Sequence, residues 1–182
     1  MVKRVLGQAR QVNISCSVFV LIWLFIALPV IGKAKDETLE GLVIGITDGD
    51  TATVLLAGNK QEKVRLSEID APEFSQPYGN KSRQELAKLI FKQKVYAKVI
   101  THDRYRRPVA RIFVNDLDVS AEMVKRGAAW FSIKYGKDSL IKDLEVEAKR
   151  EKRGLWALPE KERIPPWEWR HPAKPMALAI PM

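Results

Sequence analysis

The 182-residue sequence predicts a mainly β fold of the α+β class, a small five-stranded antiparallel barrel with three helices packed outside it. Three observations support this prediction. Short β-branched segments alternate with turn residues, three other segments have apolar residues at helical spacing, and the first helix falls between the third and fourth strands. The length suits one compact domain with accessory segments, and 46% hydrophobic residues suffice for a core.

Five segments have strand composition. The turn at 48–50 separates the first two strands, a hairpin turn at 57–60 leads to the third, and Asn115 and Asp116 end the fifth. The predicted strands are 41–47, 51–56, 63–69, 94–100 and 108–114.

Three segments have helical patterns. The first, 79–92, is amphipathic; the second is short, with Ser120 as its predicted N-cap and Gly127 as its end. The third, 137–153, places Leu140, Leu144 and Ala148 on one face, and Gly154 ends it.

A leader, residues 1–34, precedes this body. It begins with three basic residues and no acid, continues with an uncharged stretch from 11 to 32, and ends in Gly32, Lys33 and Ala34. This pattern is typical of a secretory signal peptide. A retained membrane anchor is the second interpretation and a buried helix of the main domain the third. The first two place the remainder outside the cytoplasm, secreted, periplasmic or anchored in the inner membrane, because the basic residues precede the apolar segment.

The domain proper is predicted to run from 35 to 158, followed by a Pro- and Trp-rich tail at 159–182. A free tail seldom carries two tryptophans, so we expect Trp167 and Trp169 to pack back on the domain and the last ten residues to be loose.

The net charge of +9 suits a polyanion, either nucleic acid or an anionic membrane surface. Four of the 31 basic residues lie in the leader, which leaves 27 against 22 acids, a net charge of +5. The single cysteine, Cys16, also lies in the leader, which excludes an internal disulfide and argues against zinc sites built on several cysteines.

Three acids are predicted to converge at strand ends: Asp50 after a glycine turn, and Asp70 and Glu73 after the third strand, which also carries Arg65. Oxygen ligands of this kind hold a hard cation such as calcium, and a further carboxylate can act as general base on a metal-bound water. Arginines beside them, including those of the 103–107 stretch, can clamp phosphate oxygens. The alternative from composition alone is a set of solvated ion pairs.

The order and spacing of the motifs decide between these interpretations. Asp48-Gly-Asp-Thr51, Val64-Arg-Leu66, Ile69-Asp-Ala-Pro-Glu73, Gln76-Pro-Tyr-Gly79 and Asp103-Arg-Tyr-Arg-Arg107 closely resemble the staphylococcal nuclease family, as do Gly154-Leu-Trp156 and Pro165-Pro-Trp-Glu-Trp-Arg170. The resemblance extends in one consistent order from about residue 41 to 170.

The resemblance implies an OB-type barrel with three helices and a calcium-dependent hydrolase of DNA and RNA phosphodiesters with little sequence preference. It implies one calcium ion held by Asp50, Asp70 and the carbonyl of Ala71, and Glu73 as the base that activates water. Arg65 and Arg107 match the phosphate-clamping arginines, and Arg104 and Tyr105 match residues that touch the nucleotide phosphate. Asp48 matches a turn residue and Thr51 a supporting residue.

Two positions leave alternatives open. The family usually has glycine where Arg106 stands, so either the turn differs or the register is ambiguous between Arg106 and Arg107; the spacing from Asp103 favours Arg107. Tyr135 is our candidate for an aromatic wall against the base, the alternative being that it only packs on the last helix.

The sequence therefore predicts a monomeric, exported nuclease whose partner is DNA or RNA, with membrane contact only through an uncleaved leader. The alternative is a non-catalytic nucleic-acid or protein binding module on the same fold. Modules of that kind have lost catalytic carboxylates or arginines, whereas this chain retains all five of those predicted: Asp50, Arg65, Asp70, Glu73 and Arg107.

Overall fold

The structure is a computed structural model that describes residues 37–171. The predicted leader and the last ten residues of the tail lie outside the described residues. None of the helices within residues 37–171 combines the length and the apolar character needed to cross a membrane.

Strands dominate the first two thirds of the described chain, and helices the remainder. The strands are β1 (Thr38–Ile46), β2 (Thr51–Leu55), β3 (Gln61–Leu66), β4 (Ile69–Asp70), β5 (Lys94–His102), β6 (Pro108–Val114), β7 (Leu117–Asp118) and β8 (Trp130–Phe131). The helices are α1 (Gly79–Ile90), α2 (Val119–Lys125), α3 (Ser139–Arg150) and the short α4 (Pro166–Trp169), with 3-10 turns at Ala57–Asn59, Gly154–Ala157 and Glu160–Glu162.

Five strands close into a barrel in the order β3, β2, β1, β5, β6, and β6 pairs back with β3. This confirms the predicted five-stranded, mainly β architecture. One detail differs, because β3 and β6 are parallel, with Arg65 opposite Val109, whereas the prediction was antiparallel throughout. A closed ring with an odd number of strands cannot alternate direction at every pair, so one parallel pair is obligatory.

The core fills the barrel interior and the space under the helices. Alternation along β3 buries Val64 and Leu66 and turns Arg65 to the outer face; β6 likewise buries Ala110 and Ile112. The helices add their apolar faces, from Leu86 and Ile90 of α1 and from Val119, Met123 and Val124 of α2.

The N-cap predicted for the second helix is wrong. α2 begins at Val119, and the Asp118 carboxylate accepts a hydrogen bond from the Ala121 N–H at 3.1 Å. Ser120 is buried inside the helix, where its hydroxyl donates to the Ser67 carbonyl at 2.9 Å. Aspartate and serine both cap helices well, so the local sequence does not distinguish Asp118 from Ser120. The buried carbonyl of Ser67 decides, because it accepts the Ser120 hydroxyl and leaves Asp118 as the N-cap.

The face predicted for the third helix is partly wrong. Ile141, Glu145 and Ala148 are buried, whereas Leu140 is 72% exposed. The Glu145 carboxylate accepts a hydrogen bond from the Phe131 N–H at 2.9 Å, which attaches α3 to β8. A hydrophobic pattern counts glutamate as a surface residue and therefore selects a neighbouring stripe of the helix.

Replacing Ile112 by alanine should destabilise the barrel by about 2–5 kcal/mol, because its side chain is fully buried and the cavity cannot collapse inside a closed barrel. Ile100 of β5 is 58% exposed and provides the matched control, since Ile100→Ala should change little. Urea unfolding of both variants measures the difference. Equal losses for the two would contradict a core inside the β3–β6 closure.

Candidate active site

The turn between β1 and β2 delivers Asp50 to one end of the barrel. The Asp50 N–H donates to the Asp48 carboxylate at 3.0 Å, and the Thr47 N–H donates to the Thr51 carbonyl at 2.9 Å. Gly49 allows the turn to lie against α1, because a Cβ there would overlap the Ser82 hydroxyl and the Ala71 methyl group. Asp48 is thus a turn residue, as the resemblance implies.

Asp50 is only 3% exposed, and both its oxygens have partners. The Thr51 hydroxyl donates to Oδ1 at 2.9 Å, while Oδ2 accepts the Ala71 N–H at 3.1 Å and pairs with Arg65 Nη2 at 2.9 Å. Burial raises the pKa of Asp50 to about 6, against the opposing charge of Arg65. The partners of Asp50 therefore do not fully compensate for burying its negative charge.

Arg65 joins the two buried aspartates. The same Nη2 that contacts Asp50 donates to Asp70 Oδ1 at 2.8 Å, and Asp70 is 6% exposed. Burial alone lowers the pKa of Arg65, but the charges of Asp50 and Asp70 outweigh it and raise that pKa above its ordinary value. Since Asp50 Oδ2 and Asp70 Oδ1 both contact one nitrogen atom, Arg65 holds the two carboxylates close together.

Glu73 follows on the loop that connects β4 to α1. Its backbone N–H donates to the Gln76 side-chain oxygen at 3.0 Å, and its carbonyl accepts the Gln76 N–H at 2.9 Å. The Glu73 carboxylate itself is partly exposed beside Asp70. Two hydrogen bonds to one buried glutamine therefore fix the backbone, while the carboxylate stays partly exposed.

Arg170, from the C-terminal tail, is the site residue that the sequence did not predict. Its guanidinium pairs with both oxygens of Asp70 and donates to Glu73 Oε1 at 2.9 Å. The tail reaches the site because Trp167 packs on Trp130, with ring centroids 5.7 Å apart, and Trp130 lies opposite Asp70 in the β4–β8 pair. Packing of Trp167 agrees with the sequence prediction, whereas Trp169 is covered less completely and stays 37% exposed.

The loop between β5 and β6 presents Arg107. Asp103 organises the loop by accepting the backbone N–H groups of Tyr105 at 2.9 Å and Arg107 at 3.0 Å, and its carboxylate pairs with Arg107 Nε at 2.7 Å. Arg107 lies two residues before Val109, the register partner of Arg65. The loop therefore ends with Arg107 next to the start of β6, the strand that pairs with the one carrying Arg65.

Arg106 adopts the left-handed conformation, with φ of +63°, that a glycine would adopt without strain. Its N–H donates to the Asp103 carbonyl at 2.8 Å, and the Asp103 N–H donates to the Arg107 carbonyl at 3.0 Å. This is a hairpin turn followed by a left-handed residue, in which glycine is the common choice. The turn is therefore kept in spite of the substitution, and Arg107 follows it.

The three predicted substrate-binding residues are on the surface. The guanidinium of Arg104 lies over the Tyr105 ring at 4.7 Å from its centroid, and Arg107 lies 5.5 Å from the same ring. Tyr135 is 68% exposed, with Lys134 over its ring, so it does not simply pack on the last helix. No contact in residues 37–171 joins Tyr135 to the carboxylates, and its role stays a prediction.

The donor set fits one hard cation. Within residues 37–171 no group of three or more His, Cys, Asp or Glu side chains forms a metal cluster by itself. The predicted ligands are instead two aspartates and one backbone carbonyl, and the carboxylates of Asp50 and Asp70 already face a common point through Arg65. Carboxylate and carbonyl oxygens are the ligands that calcium and magnesium prefer.

Comparison with known proteins identifies the family of the chain. The family model described as staphylococcal nuclease homologue matches residues 63–158, which hold Arg65, Asp70, Glu73 and Arg107. The chain belongs to the staphylococcal nuclease family. Individual relatives align with a longer part of the chain than the family model does.

Three relatives show the extent of the similarity. An uncharacterized endonuclease of Haemophilus influenzae is 37% identical over 151 residues, 83% of this chain and 84% of that protein. A micrococcal nuclease of Shigella flexneri is 38% identical over 147 residues, 74% of this chain and 82% of that protein. An uncharacterized endonuclease of Escherichia coli is 37% identical over 134 residues, 73% of this chain and 86% of that protein.

Arg106→Gly should stabilise this family member by about 0.5–1 kcal/mol, because the left-handed conformation costs a non-glycine residue about 1–2 kcal/mol and the flexibility of glycine in the unfolded chain offsets part of the gain. Arg104→Gly is the control, since Arg104 is not among the residues with positive φ and should lose stability. Urea unfolding compares the two. A similar loss for both variants would show that φ at Arg106 carries no strain.

Proposed function

We propose that the chain is an exported, calcium-dependent nuclease that hydrolyses phosphodiester bonds of DNA and RNA with little sequence preference. Membership of the staphylococcal nuclease family makes it a nuclease acting on phosphodiester bonds. One observation carries the finer proposal: Arg65 joins the buried carboxylates of Asp50 and Asp70, and Glu73 lies beside them with a solvent-accessible carboxylate.

Asp50, Asp70 and the Ala71 carbonyl would hold the ion, and Thr51 supports Asp50 through its hydroxyl. When bound, calcium supplies positive charge next to the phosphate and a position for the attacking water. The raised pKa of Asp50 supports this role, because a carboxylate short of positive charge gains from a cation in its place.

Glu73 acts as general base. It takes a proton from the attacking water as the water oxygen bonds to phosphorus and the bond to the leaving oxygen breaks, and the leaving oxygen takes a proton from solvent. The hydrogen bonds between its backbone and Gln76 keep the carboxylate at one place relative to Asp70. A base that must meet a water molecule needs the partial exposure that Glu73 has.

Arg65 and Arg107 bind the phosphate oxygens on which charge accumulates. Arg65 lies on β3, and Arg107 lies on the loop that leads directly into β6, the parallel neighbour of β3, so two planar guanidinium groups are presented near the β3–β6 pair. Arginine suits this task because its planar fork can donate two parallel hydrogen bonds to a phosphate. Arg104 and Tyr105, on the loop that carries Arg107, extend the surface available to the nucleotide.

Export rests on the leader. Its basic start, its uncharged apolar stretch and the small residues around Lys33 support translocation of the domain out of the cytoplasm. The same features support either release after cleavage or retention as an anchor.

Cleavage should require calcium and Glu73. We expect the full chain, purified in a non-ionic detergent, to cut plasmid, single-stranded DNA and RNA with calcium and to stop when a chelator is added. Glu73→Gln should lose about 10²–10⁴-fold in kcat, the usual contribution of a general base. Glu160→Gln removes the same charge from an exposed 3-10 turn and serves as control.

Calcium-independent cutting would overturn the metal assignment. Binding of DNA without any cutting, by a folded sample with calcium, would favour a non-catalytic nucleic-acid binding module instead. Full activity of Glu73→Gln would remove Glu73 from the mechanism and leave the calcium dependence standing.

Arg65→Lys should lower kcat by about 10²-fold while changing the free energy of unfolding much less, because lysine keeps a positive charge between Asp50 and Asp70 but cannot form the planar fork. Activity assays and urea unfolding together separate the two effects. Arg150→Lys is the control, since Arg150 is exposed at the end of α3. A loss of stability as large as the loss of turnover would assign Arg65 a structural role.

A further inference from the structure

The C-terminal segment, residues 164–171, is attached to the domain at three points. The Gln76 side-chain amide donates to the Ile164 carbonyl, the Trp167 ring packs edge-on against Trp130, and the Arg170 guanidinium reaches the acids. Gln76 also binds the backbone of Glu73. The segment is therefore anchored to the same loop that carries the general base.

Arg170 occupies the oxygens that the reaction needs. Nη1 contacts Asp70 Oδ1 at 3.2 Å and Glu73 Oε1 at 2.9 Å, and Nη2 donates to Asp70 Oδ2. Asp70 Oδ1 also accepts from Arg65. Both oxygens of one proposed calcium ligand and one oxygen of the proposed base are thus paired with cations supplied by the protein.

We propose that Arg170 is a built-in competitor of calcium, a tail-borne guanidinium that neutralises Asp70 and Glu73 until the divalent ion displaces it. The inference rests on the proposed function, because it concerns the same ion and the same carboxylates. It assigns the C-terminal segment a task that the nuclease fold itself does not require, namely setting the calcium concentration at which the site fills.

The physical argument is one of charge at short range. Asp50, Asp70 and Glu73 carry three negative charges, against which Arg65 and Arg170 place two positive ones. A guanidinium held within about 4 Å of the acids repels an incoming cation and must give up its hydrogen bonds when the cation enters, and both effects weaken calcium binding. Trp167 and Gln76 dock the segment on the domain and so hold Arg170 beside the site.

This competition has a use for an exported enzyme. A site that fills only at high calcium concentration stays largely empty during synthesis, when the chain is still inside the cell, and fills after export. Arg170 would thereby add a calcium threshold to a catalytic site whose other residues can already bind the ion.

Calorimetric titration of the full chain with calcium alone, without nucleic acid, tests the proposal. We expect Arg170→Gln to bind calcium about tenfold more tightly than the unmodified chain, the size of a single short-range charge effect. Arg170→Lys, which keeps the charge but loses the fork, should fall between them. Lys161→Gln, which removes a positive charge from an exposed position of the tail, is the matched control and should bind like the unmodified chain.

The calcium concentration for half-maximal cleavage should shift downward in Arg170→Gln by the same factor. Equal or weaker calcium binding by Arg170→Gln, in a chain whose cleavage requires calcium, would overturn the inference and leave the proposed function intact. Absence of calcium binding in all four proteins, together with calcium-independent cleavage, would overturn both. A gain of equal size in Lys161→Gln would assign the effect to net charge and also overturn the inference.

Discussion

The parallel pairing of β3 with β6 is the constraint on which the rest of the structure depends. It closes the barrel, and it does so at Arg65, whose register partner is Val109. The buried neighbours Val64 and Leu66 force Arg65 to the outer face, so a feature of core packing also decides where one cation of the site points. Because β6 begins immediately after Arg107, the same pairing sets the separation of the two arginines.

Charge balance is the second constraint, and it follows from the first. Closure buries Asp50 and Asp70 at the barrel end, where an unpaired carboxylate is costly. The protein meets this cost with the bridging guanidinium of Arg65, with the Ala71 N–H and the Thr51 hydroxyl on Asp50, and with the guanidinium of Arg170 on Asp70. The pKa of Asp50 is still raised to about 6, because burial outweighs these partners. A buried acid whose charged form is destabilised in this way is unfavourable for folding and favourable for binding a cation.

Much of the fold could be predicted from the sequence because its signals are local. β-branched runs between turn residues mark the strands, and Asp48, Gly49 and Asp50 mark a turn that the structure contains. The errors arise where a distant partner decides. Asp118 and not Ser120 caps α2, because the Ser120 hydroxyl donates to the carbonyl of Ser67. That carbonyl is 53 residues away in sequence, so the local pattern around Ser120 does not reveal it.

The site follows the same division. Asp50, Arg65, Asp70 and Glu73 lie within 24 residues of sequence and in recognisable motifs, so their proximity could be predicted. Arg170 is 100 residues from Asp70, and nothing in its own segment specifies an acid partner. The usable signal was the pair of tryptophans, which indicated that the tail returns to the domain without indicating where. The docking position of the tail is set by the contact of Trp167 with Trp130, and Trp130 lies opposite Asp70 only because β4 pairs with β8.

Main-chain groups hold part of the site, whereas the Asp70 carboxylate is held by the guanidinium groups of Arg65 and Arg170. Asp50 is bound by the Ala71 N–H, Asp103 by the N–H groups of Tyr105 and Arg107, and Glu73 through its own backbone by Gln76. Substituting an arginine side chain removes none of these bonds. Changes at the arginines therefore leave Asp50 and the Glu73 backbone anchored, while the Asp70 carboxylate loses a direct partner, so the stability of each arginine variant must be measured beside its cation affinity and turnover.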